Sequence, residues 1–470
     1  MRKRAARCWV WLWMIGMAAC GPDARLAEQD VPSEASAGGD GATLADLAAL
    51  AVDADASVSD AAIVRLRAAG PEGLAALLEA HATEVERLRT EPLADDAHAL
   101  EELRQDEALG RLRRALDRVA AQRDAFASGL FWYTDLAAAQ AEAARRDRPI
   151  LSLRLLGRLD EEASCANSRF FRWLLYPDPR VREALAGYVL HWSSERPAPH
   201  VTIDMGDGRT IERTITGNSV HYVLDASGHV VDAIAGLHTP EDFVARLEES
   251  AALAERCGVR FADASCLASA HRAMLEATHA SWDQLRTGPA LGAGLVVEPP
   301  FVLPSWDELV QRDVPAPALP SAALAMPLTI GKAAIEMPLL RMLGAAEAPE
   351  APPPLPWREL ARVISRYDAS GLSPASVALA RLKTGSTEDV TLARATAERA
   401  LADTLLARYT HERRFHAWLA EGATPNDFDS INARVYAELF LTPASDPWLG
   451  LRAETEWDVL EVEGSTDGRN

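Results

Sequence analysis

The run Pro149-Ile150-Leu151-Ser152-Leu153-Arg154-Leu155 decides the fold, because a short apolar run of this length predicts a strand buried in a sheet. An Ala-rich segment from Ala138 to Arg146 precedes it and has the pattern of a helix. Two further helices are predicted over 169–175 and 181–186, before a second strand from Tyr188 to Trp192. Alternating helices and strands predict a central sheet with helices against its faces.

The next strands are predicted as two hairpins. Residues 201–204 and 210–215 flank a Gly-Asp-Gly turn, and residues 220–224 and 229–234 flank an Asp-Ala-Ser-Gly turn. Thr239-Pro240 then opens an amphipathic helix, with the threonine as N-cap and the proline at the first helical position. The predicted sheet is therefore followed by a closing helix.

This order of elements, with a cysteine after the first strand, resembles the thioredoxin-like superfamily. The resemblance lies in Phe131-Trp132-Tyr133-Thr134-Asp135-Leu136 before the first helix, in Cys165-Ala166-Asn167-Ser168 opening a later helix, and in the closing hairpin with Asp225 and Gly228. It implies an α/β thioredoxin-like central domain over residues 129–256, a sheet flanked by helices. Mainly α-helical N- and C-terminal regions are expected on either side.

The resemblance also implies a site. In that superfamily the first cysteine of a Cys-x-x-Cys motif attacks a disulfide, and the second resolves the mixed disulfide. Cys165 matches the first position, but Ser168 stands at the second and cannot resolve such an adduct. Ser219, beside Asn218, stands where the family has the cis-proline that touches substrate. The implied catalytic candidates are Cys165 and Ser168, and the implied substrate-groove residues are Asn218 and Ser219.

Two local charge effects on the Cys165 thiol oppose each other. A helix N-terminus stabilises a thiolate. The acidic run Asp160-Glu161-Glu162 places negative charge nearby and disfavours one. Free cysteines are also often buried as small apolar residues. Cys165 is therefore expected either as an exchange-active thiol or as an inert residue of the core.

The N-terminus predicts export. Basic residues at positions 2–7 precede a short apolar stretch from Cys8 to Met17. Met17-Ala18-Ala19-Cys20 resembles the lipobox of bacterial lipoproteins, which implies a signal peptide over 1–20 and a lipid on Cys20. Residues 21–42 are small and polar, as in a flexible tether. The expected location is the cell envelope, facing the periplasm or the outer surface. The alternatives are an ordinary secretory signal or an uncleaved anchor.

Net charge argues against two kinds of partner. The chain holds 69 acidic and 48 basic residues, a formal net charge of -21. Such a balance argues against nucleic acid as a partner and against binding an anionic membrane through the protein itself. The expected partners are a membrane, through the lipid on Cys20, and envelope proteins or protein thiols.

The flanking regions have helical patterns. Residues 43–128 predict helices, with Asp60 as an N-cap and with Gly70-Pro71 ending one helix and starting the next. A helical or irregular extension is expected over 257–344, a Pro-rich linker over 345–356 and a helical C-terminal module over 357–470.

Within that module, Ser386-Thr387-Glu388-Asp389 is expected to begin a long helix, onto which Trp448 packs.

Cys257 and Cys266 are candidates for a disulfide, because they enclose a short loop and disulfides persist in exported proteins. Sequence alone leaves their pairing open. If they pair and Cys20 is acylated, Cys165 is the remaining thiol of the mature chain.

The histidines do not predict a metal or a cofactor site. His411 and His416 are five residues apart, do not share one helix face and are expected in solvent. No His-Glu-x-x-His or Cys-x-x-Cys-His motif occurs. His191 and His221 are closer candidates as neighbours of Cys165, although a core or edge-strand role is favoured for each.

The leading hypothesis is a lipid-anchored envelope protein whose thioredoxin-like domain serves binding or scaffolding, with possible monothiol exchange at Cys165. One alternative is a thiol-disulfide oxidoreductase or isomerase that lacks the resolving cysteine. Another is a structural assembly lipoprotein in which Cys165 is buried and inert.

Overall fold

The apolar runs recognised in the sequence pair into a central four-stranded sheet in the computed structural model. The structure describes residues 41–214, 217–287, 303–313, 372–385, 400–422 and 427–447, with Trp357, Leu360, Ala361 and Leu449. The described strands are β1 (Ile150–Leu156), β2 (Val189–Arg196), β3 (His200–Asp204), β4 (Thr210–Thr214), β5 (Ser219–Leu224) and β6 (Val230–Ala235).

The strand order in the central sheet is β2-β1-β5-β6. β1 runs parallel to β2, with Ile150 opposite Val189, and antiparallel to β5, with Ile150 opposite Leu224. β5 and β6 form an antiparallel pair, and β3 and β4 form a separate two-stranded hairpin. The sheet is therefore mixed, with one parallel and two antiparallel strand pairs.

Helices surround this sheet and extend from both of its ends. The N-terminal group is α1 (Leu44–Leu50), α2 (Ala56–Ala68), α3 (Pro71–Ala80), α4 (Ala82–Thr90), α5 (Ala97–Gln105), α6 (Glu107–Ala120) and α7 (Ala125–Ser128). Next come α8 (Leu136–Arg146), α9 (Ala166–Phe170), α10 (Pro179–Leu185), α11 (Pro240–Cys257) and α12 (Ala264–Thr287). The later helices are α13 (Trp306–Gln311), α14 (Pro374–Thr384), α15 (Arg413–Ala420) and α16 (Phe428–Arg434).

Among the described residues, three π-helical turns interrupt or extend these helices. They are Phe171–Leu175 after α9, Ala407–Glu412 before α15 and Val435–Leu439 after α16. A segment predicted as one helix over 169–175 is therefore an α-helix that widens to a π-helix at Phe171.

The two faces of the sheet are covered by different parts of the chain. Leu151 and Leu153 of β1 face a buried cluster that contains Phe243 of α11. Ile150 and Tyr222 belong to a second cluster, on which Phe415, Phe428 and Tyr436 pack together with α8. The C-terminal helices therefore complete one side of the sheet.

Local capping explains several helix ends. Thr239 accepts a hydrogen bond from the Asp242 amide at 3.3 Å and Pro240 takes the first helical position, as predicted. Pro71 starts α3 directly after Gly70, whose φ of 70° favours glycine. Asp60 is not a cap: α2 begins one turn earlier, with Asp55 accepting from the Ser57 amide at 2.8 Å.

The C-terminal region also contacts the N-terminal helices. Arg104 of α5 donates to the Leu382 carbonyl at 3.0 Å, and Arg381 donates to the Pro92 carbonyl at 3.0 Å. Trp173 donates from its indole to the Ser376 carbonyl at 2.8 Å. These helices and the sheet belong to one compact unit, which begins at Thr43.

Several predicted features lie outside the described residues. They are the signal peptide with Cys20, the tether up to residue 40, the Pro-rich linker over 345–356, Ser386-Thr387-Glu388-Asp389 and Trp448. Within the described parts of the chain, none of the helices has the length and apolar character needed to cross a bilayer.

Candidate functional site

Cys165 lies where the chain leaves the sheet and enters α9. Gly157, with φ of 73°, turns the backbone after β1. Cys165 is the N-cap of α9, and its Sγ accepts a hydrogen bond from the Ser168 amide at 3.5 Å. The side chain is completely buried, at 0 % exposure. A short loop and a helix start therefore place the sulfur inside the protein.

Ser168 lies beside Cys165 but uses its hydroxyl elsewhere. Its Oγ is 2.7 Å from the Ser164 Oγ, and Arg172 donates to that Ser164 Oγ at 3.1 Å. The backbone N–H of Ser168, and not its side chain, is the group that reaches the sulfur. The serine therefore supports the helix start through a buried polar network.

Asn218 and Ser219 lie at the start of β5, beside the same helix start. Ser219 stands opposite Leu155 of β1 and accepts a hydrogen bond from the Asn167 side chain at 2.8 Å. Asn218 donates from Nδ2 to the Thr442 hydroxyl at 3.0 Å. The four residues predicted to form a site therefore do lie around one helix start, and a distant part of the chain joins them.

That distant part covers the site. The Tyr436 hydroxyl donates to the Asn218 carbonyl at 3.3 Å, and Arg196 donates to the Asp446 carbonyl at 2.6 Å. Cys165 shares a buried apolar cluster with Tyr436 and with other residues of α16 and of the π-helical turn that follows it. The place expected for a substrate groove is thus filled by the segment 428–446 of the same chain.

The acidic run before Cys165 is neutralised by cations. Asp160 and Glu161 pair with Arg158 at 2.8 and 3.5 Å. Glu162 pairs with Arg123 at 2.8 Å and with Lys383 at 2.6 Å. Although burial would raise the pKa of Glu162, its cationic neighbours, Lys383 foremost, lower it to about 2. These cations therefore largely cancel the destabilising effect that the three carboxylates were predicted to have on a Cys165 thiolate.

A buried ionic network lies next to this run. Asp124 pairs with Arg172 at 3.3 Å and with Lys383 at 2.8 Å. Asp117 pairs with Arg123 at 3.0 Å and accepts from the Ala125 amide at 2.9 Å. Burial, with the charge of Asp124, raises the pKa of Asp117 to about 7. The network joins α6 to the helix that begins at Cys165.

The two histidines considered as neighbours of Cys165 are core residues with other partners. His191 Nδ1 lies 2.8 Å from the Ser152 hydroxyl, and burial lowers its pKa to about 4. His221 Nε2 lies 2.8 Å from the Tyr176 hydroxyl, and burial lowers its pKa to about 3. Both rings are therefore neutral parts of the packed interior.

The prediction that His411 and His416 are solvated is wrong. They are 5 % and 2 % exposed, and burial lowers the pKa of each to about 3. His411 packs edge-on against Phe440, with ring centroids 5.6 Å apart. His416 joins a buried polar cluster with His271 and Asp232. The π-helical turn that holds His411 packs against β6, and α15, which holds His416, packs against α12. These contacts bury both side chains, which helical spacing alone does not predict.

Asp232 is the residue of this cluster that could most readily have been found from the sequence. It stands in an apolar strand, Val230-Val231-Asp232-Ala233-Ile234, and a buried carboxylate needs partners. It accepts from the Ser250 hydroxyl at 2.7 Å and pairs with Arg246 at 3.3 Å. Arg246 in turn lies 3.4 Å from Glu412, just before α15. The cluster ties β6 and α11 to the C-terminal region.

Cys257 and Cys266 are joined by a disulfide, with their Cα atoms 5.6 Å apart. The bond closes the loop between α11 and α12. Cys165 is a free thiol among the described cysteines.

Comparison with known proteins adds no relative. No protein-family model matches this chain, and neither a curated protein nor a solved structure does.

Proposed function

We propose that this chain is a lipid-anchored protein of the bacterial cell envelope whose thioredoxin-like domain serves binding or scaffolding. The strand order β2-β1-β5-β6, with one parallel and two antiparallel pairs, supports the thioredoxin-like interpretation. The position of Cys165 as N-cap of the first helix after β1 supports it as well. In this proposal Cys165 belongs to the internal packing of the domain.

The burial of Cys165 is the observation that carries this proposal. A thiol exchanges with a disulfide only when the attacking sulfur reaches the other sulfur. Cys165 is 0 % exposed and lies in a cluster closed by the C-terminal segment. The fold therefore favours a surface function over thiol chemistry at this position.

One observation favours monothiol exchange as the second candidate function. The Cys165 Sγ already accepts the Ser168 N–H at 3.5 Å, and backbone donors at a helix start stabilise a thiolate. Exchange would require the segment 428–446 to leave the site. Ser168 would still be unable to displace an adduct.

Reaction with glutathione disulfide at neutral pH separates the two candidates. The binding proposal expects no adduct at Cys165 in the folded protein, for wild type and for Ser168→Cys alike. A stable mixed disulfide in the wild type, together with turnover in Ser168→Cys, would establish exchange instead. Cys165→Ala is the control for adducts elsewhere.

Lipid labelling in a bacterial host tests the anchor. Wild-type protein should incorporate a labelled fatty acid and partition into detergent, and Cys20→Ser should do neither. The same amount of label in Cys20→Ser would refute the anchor at Cys20. Cys165→Ser serves as the matched cysteine control and should label like wild type.

A further inference from the structure

We propose that Asp232, His271 and His416 form a binding site for a transition-metal dication of the zinc class. Asp232 lies on β6, His271 on α12 and His416 on α15. Their exposures are 0 %, 0 % and 2 %. The site would therefore fasten the C-terminal region to the central sheet.

The three side chains converge on one point. Their candidate ligand atoms all lie within 4.8 Å of one another. The two Nδ1 atoms are 2.9 Å apart, and His416 Nδ1 is 3.8 Å from Asp232 Oδ1. Zinc binds imidazole nitrogen and carboxylate oxygen at about 2.0–2.2 Å, so two ligand atoms of a tetrahedral site lie about 3.4 Å apart. One ion therefore fits between these atoms once the two nitrogens separate slightly and the carboxylate oxygen moves slightly closer.

Hydrogen bonds to neighbouring groups hold His271 and Asp232 in position. His271 Nε2 donates to the Val231 carbonyl at 2.9 Å, which leaves the lone pair of Nδ1 directed at the cluster. Ser250 and the Ala233 amide donate to the Asp232 carboxylate at 2.7 and 2.8 Å. Hydrogen bonds of this kind orient histidine and carboxylate ligands in metal sites.

The metal-free proton arrangement also follows from the contacts. Arg246 donates to His416 Nε2 at 3.4 Å, so His416 carries its proton on Nδ1 and donates it to His271 Nδ1. Metal binding would move this proton from Nδ1 to Nε2, and the ring stays neutral. Arg246 would then turn toward Glu412, whose Oε1 has no hydrogen-bond partner among the described residues.

Arg246 is the cation that opposes a metal, and carboxylates surround it. Besides Asp232 at 3.3 Å, it contacts Glu249 at 2.6 Å and Glu412 at 3.4 Å. Next to this group, His238 pairs with Asp242 at 2.8 Å. Arg246 therefore has three carboxyl partners, and these groups can offset the positive charge of a bound ion.

Zn²⁺ and Co²⁺ binding to the mature protein tests this site. The protein is purified without a histidine tag, stripped with a chelator and dialysed. We expect it to take up Zn²⁺ at one ion per chain, with a higher thermal midpoint, because binding to the folded state stabilises it. Co²⁺ should give visible absorption bands of a nitrogen- and oxygen-ligated ion.

His416→Gln and His271→Gln should each lose the Co²⁺ spectrum and the Zn²⁺-dependent rise in the thermal midpoint. His411→Gln is the matched control, because His411 is buried nearby but lies outside the cluster, and it should behave like wild type. A folded wild-type protein that binds no Zn²⁺ and gives no Co²⁺ spectrum would overturn the proposal. Unchanged binding in both glutamine variants would overturn it equally.

Discussion

The two faces of the central sheet are covered by chain from very different distances along the sequence. On one face, Leu151 and Leu153 pack against Phe243, in the helix that follows β6 directly. On the other, Tyr222 packs near Phe428 and Tyr436, about two hundred residues further along. We call the face covered by Phe243 the local face and the face covered by Phe428 and Tyr436 the distant face. Sequence patterns predict the packing of the local face, but they do not show that the C-terminal segment covers the distant face.

The comparison matters for Cys165, because this residue lies on the distant side. Its cover is the segment 428–446, held by Tyr436 and by Asn218 with Thr442. Loss of contacts on the local face should destabilise the whole unit. Loss of contacts on the distant face should first expose Cys165.

Phe243→Ala should have the largest effect on stability. The ring is completely buried on the local face, and removal of such a ring costs about 3–5 kcal/mol in the free energy of unfolding. Chemical denaturation with circular dichroism measures the loss. Under native conditions, Cys165 should gain reactivity only in proportion to the larger unfolded fraction; a greater gain would mean that the two faces are not separate.

The Cys257→Ala, Cys266→Ala double variant should have the next largest effect. The disulfide closes a short loop beside the local face, and disulfides typically contribute about 2–4 kcal/mol. The midpoint of denaturation should fall while Cys165 stays protected. An unchanged midpoint would show that the bond does not form in the mature protein.

Tyr436→Phe should have a smaller effect that is local to the distant face. It removes the hydroxyl that donates to the Asn218 carbonyl, and such a bond contributes about 0.5–1.5 kcal/mol. Cys165 should therefore be modified about 2- to 10-fold faster in the folded protein.

Tyr188→Phe is the matched control, since it removes a buried hydroxyl that donates to the Leu247 carbonyl on the local face. It should leave the native reactivity of Cys165 unchanged apart from global unfolding. If Cys165 were modified equally faster in both variants, the conclusion that contacts on the distant face protect Cys165 would be contradicted.

Asp117→Asn should change how the stability of the unit depends on pH, because the pKa of this buried carboxyl differs between the folded and unfolded states. Burial and Asp124 raise the pKa of Asp117 from 3.8 to about 7. Between these values the unfolded carboxyl is ionised while the folded one stays protonated, so folding loses stability as pH rises. The asparagine variant lacks this loss, so its stability should decline less steeply between pH 4 and pH 7. The difference in slope should correspond to about one bound proton. Parallel pH profiles for both proteins would contradict the shift.

Local patterns predicted much of the fold. The strands and hairpins between Ile150 and Ala235 lie within a few residues of the predicted positions, and Thr239 and Gly70-Pro71 act as predicted. These features depend on side chains a few residues apart. Asp60 was the wrong cap because Asp55, also acidic, lies one turn earlier.

The site was predictable only in part, for a physical reason. Cys165 and Ser168 are neighbours along the helix, and Asn218 and Ser219 follow from the strand register. The burial of His416 depends on His271, 145 residues earlier. Sequence periodicity does not predict contacts between residues so far apart. For the same reason it does not predict that the segment 428–446 covers Cys165.

The rate of Cys165 modification in the folded protein, relative to the unfolded protein, tests the central claim most directly. Mature protein is treated with an aromatic disulfide reagent without reductant, in buffer and in denaturant, with Cys165→Ala as the blank. Because the sulfur is completely buried under the C-terminal segment, we predict almost no reaction in buffer and, in denaturant, one reactive thiol more than in the Cys165→Ala blank. Reaction in buffer at the rate seen in denaturant would contradict this account.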